Sequence, residues 1–511
     1  MKANVGYFLT KSASKYPSKT AIVFEGQRIS YAEFNDRANR LAHGLMGLGL
    51  KKGDKVATLF LNCPTMCESY FGILKAGGVL VPLNARLSWR ELASLMEHSG
   101  SRFLLFDEEF YETFFLLRPH VTKVEKYVMA GARKAEDLLP YEKLLEGSPA
   151  EEPGVDIGED DDLMVVYTAG TTGRPKGVLV THRNYIWTAL NIGTDMGIHP
   201  EDINLVVFPI FHTAGLASFF TRVMMGITLI LMKRLDLPEI LQTIEKERVV
   251  STAMVPTLLN SILQLPDLKS YDTTSVKKYT SAAAIFPVKL KSQFNKIFPN
   301  AALYEIYGLS EAGGADTILM PWDAFRKVAC VGKAFRHHEV KVVDEAGKEV
   351  AVGEVGEILI RGPVVMKGYY KDPQATAEAI RGDWLHTGDL AKVDEEGYIY
   401  IVDRKKDIIV SGGVNIYPRE VEEVLYAHPK VAEAAVIGVP DEKWGETIKA
   451  LVVPKEGQTL SEEEVIGFCR ENLASYKKPT SVKFLTALPK NAAGKVLKAE
   501  LRKQYGQLVR Y

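Results

Sequence analysis

Apolar residues recur at Phe34, Ala38, Leu41 and Leu45, the spacing of one helix face, and Ser30 stands where such a helix needs a cap. The pattern predicts a helix that stops in the Gly- and Lys-rich run of residues 47–54, ahead of a short apolar strand, Val56–Leu61. A second helix is predicted over Met66–Lys75, leading through Ala76, Gly77 and Gly78 into the strand Val79–Pro82. Strand, helix and strand at this spacing make a βαβ unit, and strands apolar throughout belong to a parallel sheet covered on both faces. The alternation returns from Val165 to about Pro299, so the predicted fold class is α/β, its body a doubly wound sheet.

Beyond Gly332 the pattern changes to short alternating strands, Glu339–Val343 and Val355–Arg361, which predict a small barrel-like β portion. Residues 394–413 read as a hairpin with charges packed around Arg404–Asp407. The remainder predicts a small α+β domain: a helix at Pro418–Ala427, strands at Ala434–Val439 and Ala450–Val453, and a helix near Ser461–Leu473. The charge cluster and the restart of the alternation place a boundary between an N-terminal domain, 1–405, and a C-terminal one, 406–511.

Composition narrows the function classes. A chain of 511 residues exceeds one core at ~100–200 residues per domain. With 63 Lys+Arg against 64 Asp+Glu there is no basic field for a nucleic acid. Hydrophobic residues at 46% and charged residues at 25% are those of an ordinary folded protein. Four cysteines without a CxxC pair supply neither a disulfide framework nor a zinc ligand set, which points to a reducing compartment. The most apolar stretch, Leu205–Phe220, is broken by Pro209, His212 and Thr213, so no spanning helix is expected. The first residues carry no small-residue cleavage site, and the expected location is the cytoplasm.

The strongest local signal is Tyr167–Gly177, which follows the apolar Leu163–Val166. Its three glycines and three threonines let N–H and hydroxyl groups approach an oxyanion, while Arg174 and Lys176 supply positive charge. A solvated turn is the alternative; the density of hydroxyls beside two cations favours a phosphate-cradling loop. The P-loop spacing, Gly-x4-Gly-Lys followed by Ser or Thr, is absent. Further on, Tyr307–Glu311 offers an aromatic face for a purine, a hydroxyl for phosphate and a carboxylate for a hard cation. Asp389 follows Gly388 in a Thr-Gly-Asp that by itself reads as a plain turn; only its place among the other motifs favours a carboxylate that accepts both hydroxyls of a ribose.

With Phe211-His212, Thr387–Asp389, Asp403–Lys406 and Pro489–Lys495, these segments fall in the order found in the adenylate-forming enzymes. That family includes acyl-CoA synthetases, peptide-synthetase adenylation domains and luciferases, and the chain resembles it nearly end to end. It is most similar to the short 4-coumarate, aryl and medium-chain acyl-CoA ligases. The resemblance implies that Thr168, Gly170, Thr171, Thr172 and Lys176 bind the phosphates of ATP and that Ala282, Ala283 and Ala284 line the adenine. It gives adenine stacking to Tyr307, a phosphate contact to Ser310 (where Thr is usual), Mg2+ to Glu311, and the ribose to Asp389 with Arg404.

By the same resemblance, His212 is an aromatic gate between acyl pocket and thiol tunnel. Lys495 bridges the substrate carboxylate and the α-phosphate, and Lys406 is the hinge of a mobile C-terminal domain. Ser411, Gly412 and Gly413 would then face coenzyme A. The acyl pocket would comprise His212, Thr213, Ala214, Gly308, Gly313 and Gly314, with Gly308 left open where acetate-specific relatives carry Trp. No matched pocket position carries the Asp that amino-acid-activating relatives use, and an unpaired buried ammonium is costly. The implied function is an ATP-dependent carboxylate–CoA ligase with Mg2+ as its metal and a medium-chain, alicyclic or aromatic acid as substrate. Two competing readings are an adenylating enzyme that loads a carrier protein and a nucleotide-binding module without chemistry.

Overall fold

In the computed structural model, which describes residues 3–168, 175–282, 286, 288–490 and 496–506, Ser30 caps the helix predicted after it. Its hydroxyl accepts from the Glu33 N–H, and the Glu33 carboxylate accepts from the Ser30 N–H at 2.8 Å, a reciprocal cap that starts Tyr31–Gly47. Phe34, Ala38, Leu41 and Leu45 are all buried on that helix. The next elements are the strand Lys55–Leu59, the helix Pro64–Lys75 and the strand Val79–Pro82, with Val56 opposite Leu80 in a parallel ladder. The first strand is shorter than its apolar run suggests, because its neighbour ends at Pro82, opposite Thr58, and Phe60 and Leu61 leave the sheet.

The described residues fall into two units. The first comprises 3–168, 175–282, 286, 288–340 and 360–385; the second comprises 341–359, 386–490 and 496–506. The expected boundary at Lys405 and Lys406 lies within the second unit, in the short turn Lys405–Asp407.

The first unit holds two large sheets. In one, the strands Val79–Pro82, Lys55–Leu59, Phe103–Asp107, Lys126–Ala130 and Leu138–Pro140 run parallel, and Asp162–Thr168 joins Val79–Pro82 in parallel. Lys176–Thr181 then folds back antiparallel on Asp162–Thr168, with Thr168 opposite Lys176. In the other, Thr20–Phe24, Thr228–Leu231, Ile203–Val206, Ser251–Met254, Lys278–Ala282 and Ala302–Tyr307 are neighbours, all parallel. The place of Thr20–Phe24 is not legible locally: Ile22 pairs with Leu229, some two hundred residues away in sequence. Both sheets are parallel in their interiors and antiparallel at an edge, the doubly wound arrangement that the apolar strands predict.

The second unit is built on two smaller sheets. One contains Trp384–Val393 paired antiparallel with Ile399–Arg404. In the other, Val431–Asp441 and Gly445–Pro454 form a long antiparallel hairpin, flanked by Ile409–Ser411 and Ser481–Phe484. The helices Pro418–Ala427 and Glu462–Asn472 cover this sheet with Val421, Leu425, Val465 and Cys469. All four cysteines are buried and free. Burial pushes the Cys63 thiol up to about 12 and the Cys469 thiol to about 11, so they serve as core filler. Among the described residues no helix is long and apolar enough to cross a membrane.

Candidate active site

A parallel sheet sends every strand out at the same edge, and the loops that diverge there leave a crevice for ligands. In the first unit Lys278–Ala282 and Ala302–Tyr307 are parallel neighbours with Ala282 opposite Ile306, so Ala282 and Tyr307 finish side by side. Ile203–Val206, in the same sheet, leads out at that edge into Phe211, His212 and the helix Thr213–Met225. Strand direction thus gathers motifs that the sequence holds far apart.

After Tyr307 the chain turns back on itself. The Tyr307 carbonyl accepts from the Asp316 N–H at 2.8 Å, and the Leu309 carbonyl accepts from the Gly314 N–H at 2.8 Å. The Asp316 carboxylate accepts from the Leu309 N–H at 2.8 Å. Within this loop the turn Ser310–Ala312 brings the Ser310 hydroxyl 2.6 Å from the Thr213 hydroxyl. The expected phosphate hydroxyl and the expected acyl pocket therefore touch.

The open space expected at Gly308 is not there. A Cβ on Gly308 would lie 2.3 Å from the carbonyl carbon of Gly314 and 2.6 Å from the Ala315 nitrogen. The closed loop fills that position with its own backbone, so Gly308 permits a backbone crossing and does not enlarge a pocket. Gly313 and Gly314 are also closely approached. A Cβ at the first would meet the Thr188 hydroxyl at 2.2 Å, and one at the second the Thr213 methyl at 2.8 Å. Both have positive φ, 78° and 85°, which favours glycine there. Ala214 sits in the first turn of the helix after His212.

Lys176 and Glu311 are joined through a residue that neither motif contains. The Lys176 ammonium lies 4.7 Å from the centre of the Tyr369 ring, and the Tyr369 hydroxyl donates to Glu311 Oε1 at 2.8 Å. Burial first, and the Glu311 charge second, push the Tyr369 hydroxyl above its ordinary value, so it remains a donor. His212 precedes its helix with its ring 4.7 Å from that of Phe211. Burial lowers its pKa to about 4, with the Arg86 charge adding to the shift, so the imidazole is neutral near neutral pH. Its buried Nε2 has no hydrogen-bond partner among the described residues.

In the second unit Asp389 lies opposite Arg404 in the ladder, and Arg404 Nε is 2.9 Å from Asp389 Oδ1. The turn before it is fixed from both sides. The Gly388 N–H donates to Glu357 Oε1 at 3.0 Å, and the Thr387 hydroxyl donates to the Ile358 carbonyl at 2.7 Å. Lys406 follows Arg404 in the turn Lys405–Asp407. Ser411 ends one strand of a tight hairpin whose two turn residues, Gly412 and Gly413, have φ of 58° and 81°. A Cβ on Gly412 would meet the Trp444 ring at 2.8 Å. Gly170, Thr171, Thr172, Arg174, Ala283, Ala284 and Lys495 lie outside the described residues. Close to Lys495 the chain is pinned, since Lys490 bridges to Val496 and the Leu497 N–H donates to the Pro489 carbonyl at 2.8 Å.

Residues 9–370 match the family described as AMP-binding enzyme, and residues 420–495 match the AMP-binding enzyme C-terminal domain. The chain belongs to the AMP-binding enzyme family. It is 37% identical over 503 residues to a feruloyl-CoA synthase of Amycolatopsis sp, covering 98% of this chain and 99% of that one. It is 36% identical over 513 residues to a long-chain-fatty-acid–CoA ligase of Mycobacterium tuberculosis, covering 99% of each. The structure of o-succinylbenzoate coenzyme A synthetase from Bacillus subtilis, in complex with ATP and a magnesium ion, matches with a TM-score of 0.86 at 31% identity. That match covers 97% of this chain and 99% of the other.

Three residues of this AMP-binding enzyme, two in the first unit and one in the second, contact the expected site segments without any sequence signal to find them. Tyr369 reaches Glu311 only because Gly368 and Tyr369 pair with Leu179 and Val178 beside Lys176. His98 Nδ1 is 2.8 Å from the hydroxyl of Tyr167, the first residue of the loop expected to cradle phosphate. Glu357 holds the turn before Asp389. Each contact joins residues far apart in the chain, His98 reaching Tyr167 from the helix Trp89–Ser99, so no local spacing reveals it.

Proposed function

We propose that this chain is an ATP-dependent carboxylate–CoA ligase. A carboxylate is a poor acylating agent because its leaving group would be oxide. In the first step a carboxylate oxygen displaces pyrophosphate from the α-phosphorus of ATP, giving acyl-AMP. In the second the thiol of coenzyme A attacks the acyl carbon, loses its proton and expels AMP. The observation that carries this reading is the arrangement in the first unit, where the segment after Tyr307 brings Ser310 against Thr213 and joins Glu311 through Tyr369 to Lys176. It offers an aromatic face, hydroxyls, a cation and a carboxylate around one strand edge.

Positioning and charge neutralisation are the catalytic means, and no enzyme nucleophile is required. Lys176 and the hydroxyls of its loop take the phosphates, Tyr307 and Ala282 take the adenine, and Asp389, held by Arg404, takes the ribose. Lys495 neutralises charge where the carboxylate meets the α-phosphate. Neutral His212 guards the way to the acyl group without adding charge. Glu311 is the residue that would hold Mg2+, and a single carboxylate fits an ion that arrives on a triphosphate with several of its own waters. That ion would neutralise phosphate charge. Ser411, Gly412 and Gly413 serve coenzyme A, with open space where a Gly413 side chain would stand and the Trp444 ring against Gly412.

The substrate is a carboxylic acid with an aromatic or aliphatic body and no second charge. Two facts support this: Thr213, Ala214, Gly313 and Gly314 carry no ionisable group, and the related enzymes are named for ferulate and for long-chain fatty acids. The close packing of Gly308 removes that residue as an argument for pocket size. Four buried, free thiols suit a reducing, cytoplasmic setting. An AMP-release assay across acetate, hexanoate, decanoate, benzoate and cinnamates, with and without CoA, tests the reading. AMP release that requires CoA and prefers the larger acids is expected. A preference for acetate overturns the substrate class, and AMP release only with a carrier protein overturns the ligase.

A further inference from the structure

Lys176 and Glu311 carry opposite charges in one site, yet no ion pair joins them directly among the described residues. Tyr369 stands in its place: its ring receives the Lys176 ammonium at 4.7 Å and its hydroxyl donates to Glu311 Oε1 at 2.8 Å. The backbone that carries this side chain is fixed from several directions. The Tyr369 N–H donates to the Thr376 hydroxyl at 2.8 Å, and the Tyr370 N–H donates to the Gly177 carbonyl at 2.7 Å. Three residues before Tyr369, the Met366 N–H donates to the backbone carbonyl of Glu311 itself at 2.8 Å. Gly368 lets the chain pass, since a Cβ there would meet the Thr376 methyl at 2.7 Å and φ is 152°.

Resting on the reading of Lys176 and Glu311 as nucleotide-site residues, we propose that Tyr369 is a positioning residue for the nucleotide and its metal. It holds a cation for phosphate and a carboxylate for metal in one structure while keeping them from neutralising each other. The physical reason is the cost of the alternative. A direct Lys176–Glu311 pair would have to be broken and both ends desolvated anew each time ATP bound. The aromatic face stabilises the ammonium without consuming the carboxylate, and the phenol orients one carboxylate oxygen without neutralising it. Tyr369 touches neither the adenine nor the acyl group in this scheme; it acts through Lys176 and Glu311.

The roles of ring and hydroxyl separate by substitution. Tyr369→Phe keeps the ring under Lys176 and removes the bond to Glu311, whereas Tyr369→Leu removes both. In the full-length protein, calorimetric titration with ATP in Mg2+ and with ATP in EDTA reads the two arms without turnover. For Tyr369→Phe, affinity for MgATP is expected to fall roughly tenfold, as for loss of a hydrogen bond to a charged group. Its affinity for metal-free ATP and its conversion of supplied acyl-AMP and CoA should stay within about twofold of wild type. Tyr369→Leu should weaken metal-free ATP as well, and if it fails to fold, the near-isosteric Phe variant still decides the matter. Unchanged MgATP affinity in Tyr369→Phe, or equal losses with and without metal, overturns the positioning role. A wild-type protein that binds no ATP overturns the nucleotide-site reading beneath it, a result distinct from tight wild-type binding beside an unaffected variant.

Discussion

At the scale of single residues, charge decides which step each group serves. Lys495, as proposed, acts only while a carboxylate and a phosphate are forced together, and it has no part once the thiol attacks. Lys495→Ala is therefore expected to reduce ATP- and carboxylate-dependent pyrophosphate release by ~10²–10³. Conversion of supplied acyl-AMP and CoA should stay within a few-fold of wild type, and single-turnover measurement of each half-reaction reads both. Equal damage to both steps would remove Lys495 from its role. Tyr369 is the counter-example in legibility. Lys495 announces itself in a motif, whereas Tyr369 sits in a run of charged and aromatic residues and gains its meaning only from a strand pairing with Val178.

The loop from Tyr307 to Asp316 shows how an element can mislead when read one residue at a time. Gly308 stands where a bulky side chain would close a pocket, and its smallness reads as room. Its Cβ direction is instead occupied by the backbone of Gly314 and Ala315. Gly308→Ala should thus disturb the whole loop, and with it Ser310, Glu311 and the helix start at Thr213. A loss of about 3 kcal/mol in unfolding free energy is expected. The accompanying fall in kcat/KM should be similar for acetate, hexanoate and benzoate, because the loop, in the proposed mechanism, serves adenylation of every acid. A selective loss of the larger acids, with stability unchanged, would restore Gly308 as a pocket-wall residue.

Across the whole molecule the proposed cycle needs two arrangements of the C-terminal domain, with Lys406 at the hinge. The turn that holds Lys406 is bounded by anchored acids. Asp403 accepts from the Arg404 and Arg419 N–H groups at 2.7 and 2.9 Å, and Asp407 accepts from Arg502 at 2.7 Å. The bonds from Arg419 to Asp403 and to the Ile401 carbonyl span Lys406, so a rotation at Lys406 has to release them. Lys406→Pro fixes φ at the hinge. The variant is expected to form acyl-AMP at close to the normal rate but to lose at least tenfold in thioester formation, so that adenylate accumulates. Quenched-flow analysis of acyl-AMP and acyl-CoA in one time course decides it, and an unchanged rate of thioester formation moves the hinge elsewhere.

The sequence by itself determined the local elements and the chemical inventory of this protein. The cap at Ser30, the buried face of the helix after it and the strand Val79–Pro82 follow from spacing and capping, which act over a few residues. The Tyr167–Gly177 loop, the Tyr307–Glu311 segment and Asp389 could be proposed as site elements from sequence because each packs its chemistry into a short run. Only the tertiary structure decided what those runs meet. Thr213 touches Ser310 because their strands leave one sheet at one edge, 97 positions apart in the chain. Tyr369 holds Glu311 because a two-residue strand pairs beside Lys176, and Gly308 gives no room because a backbone has already filled it. The physical reason is the same in each case: propensity and periodicity are local, whereas strand pairing and excluded volume are settled by residues that the chain brings together from afar.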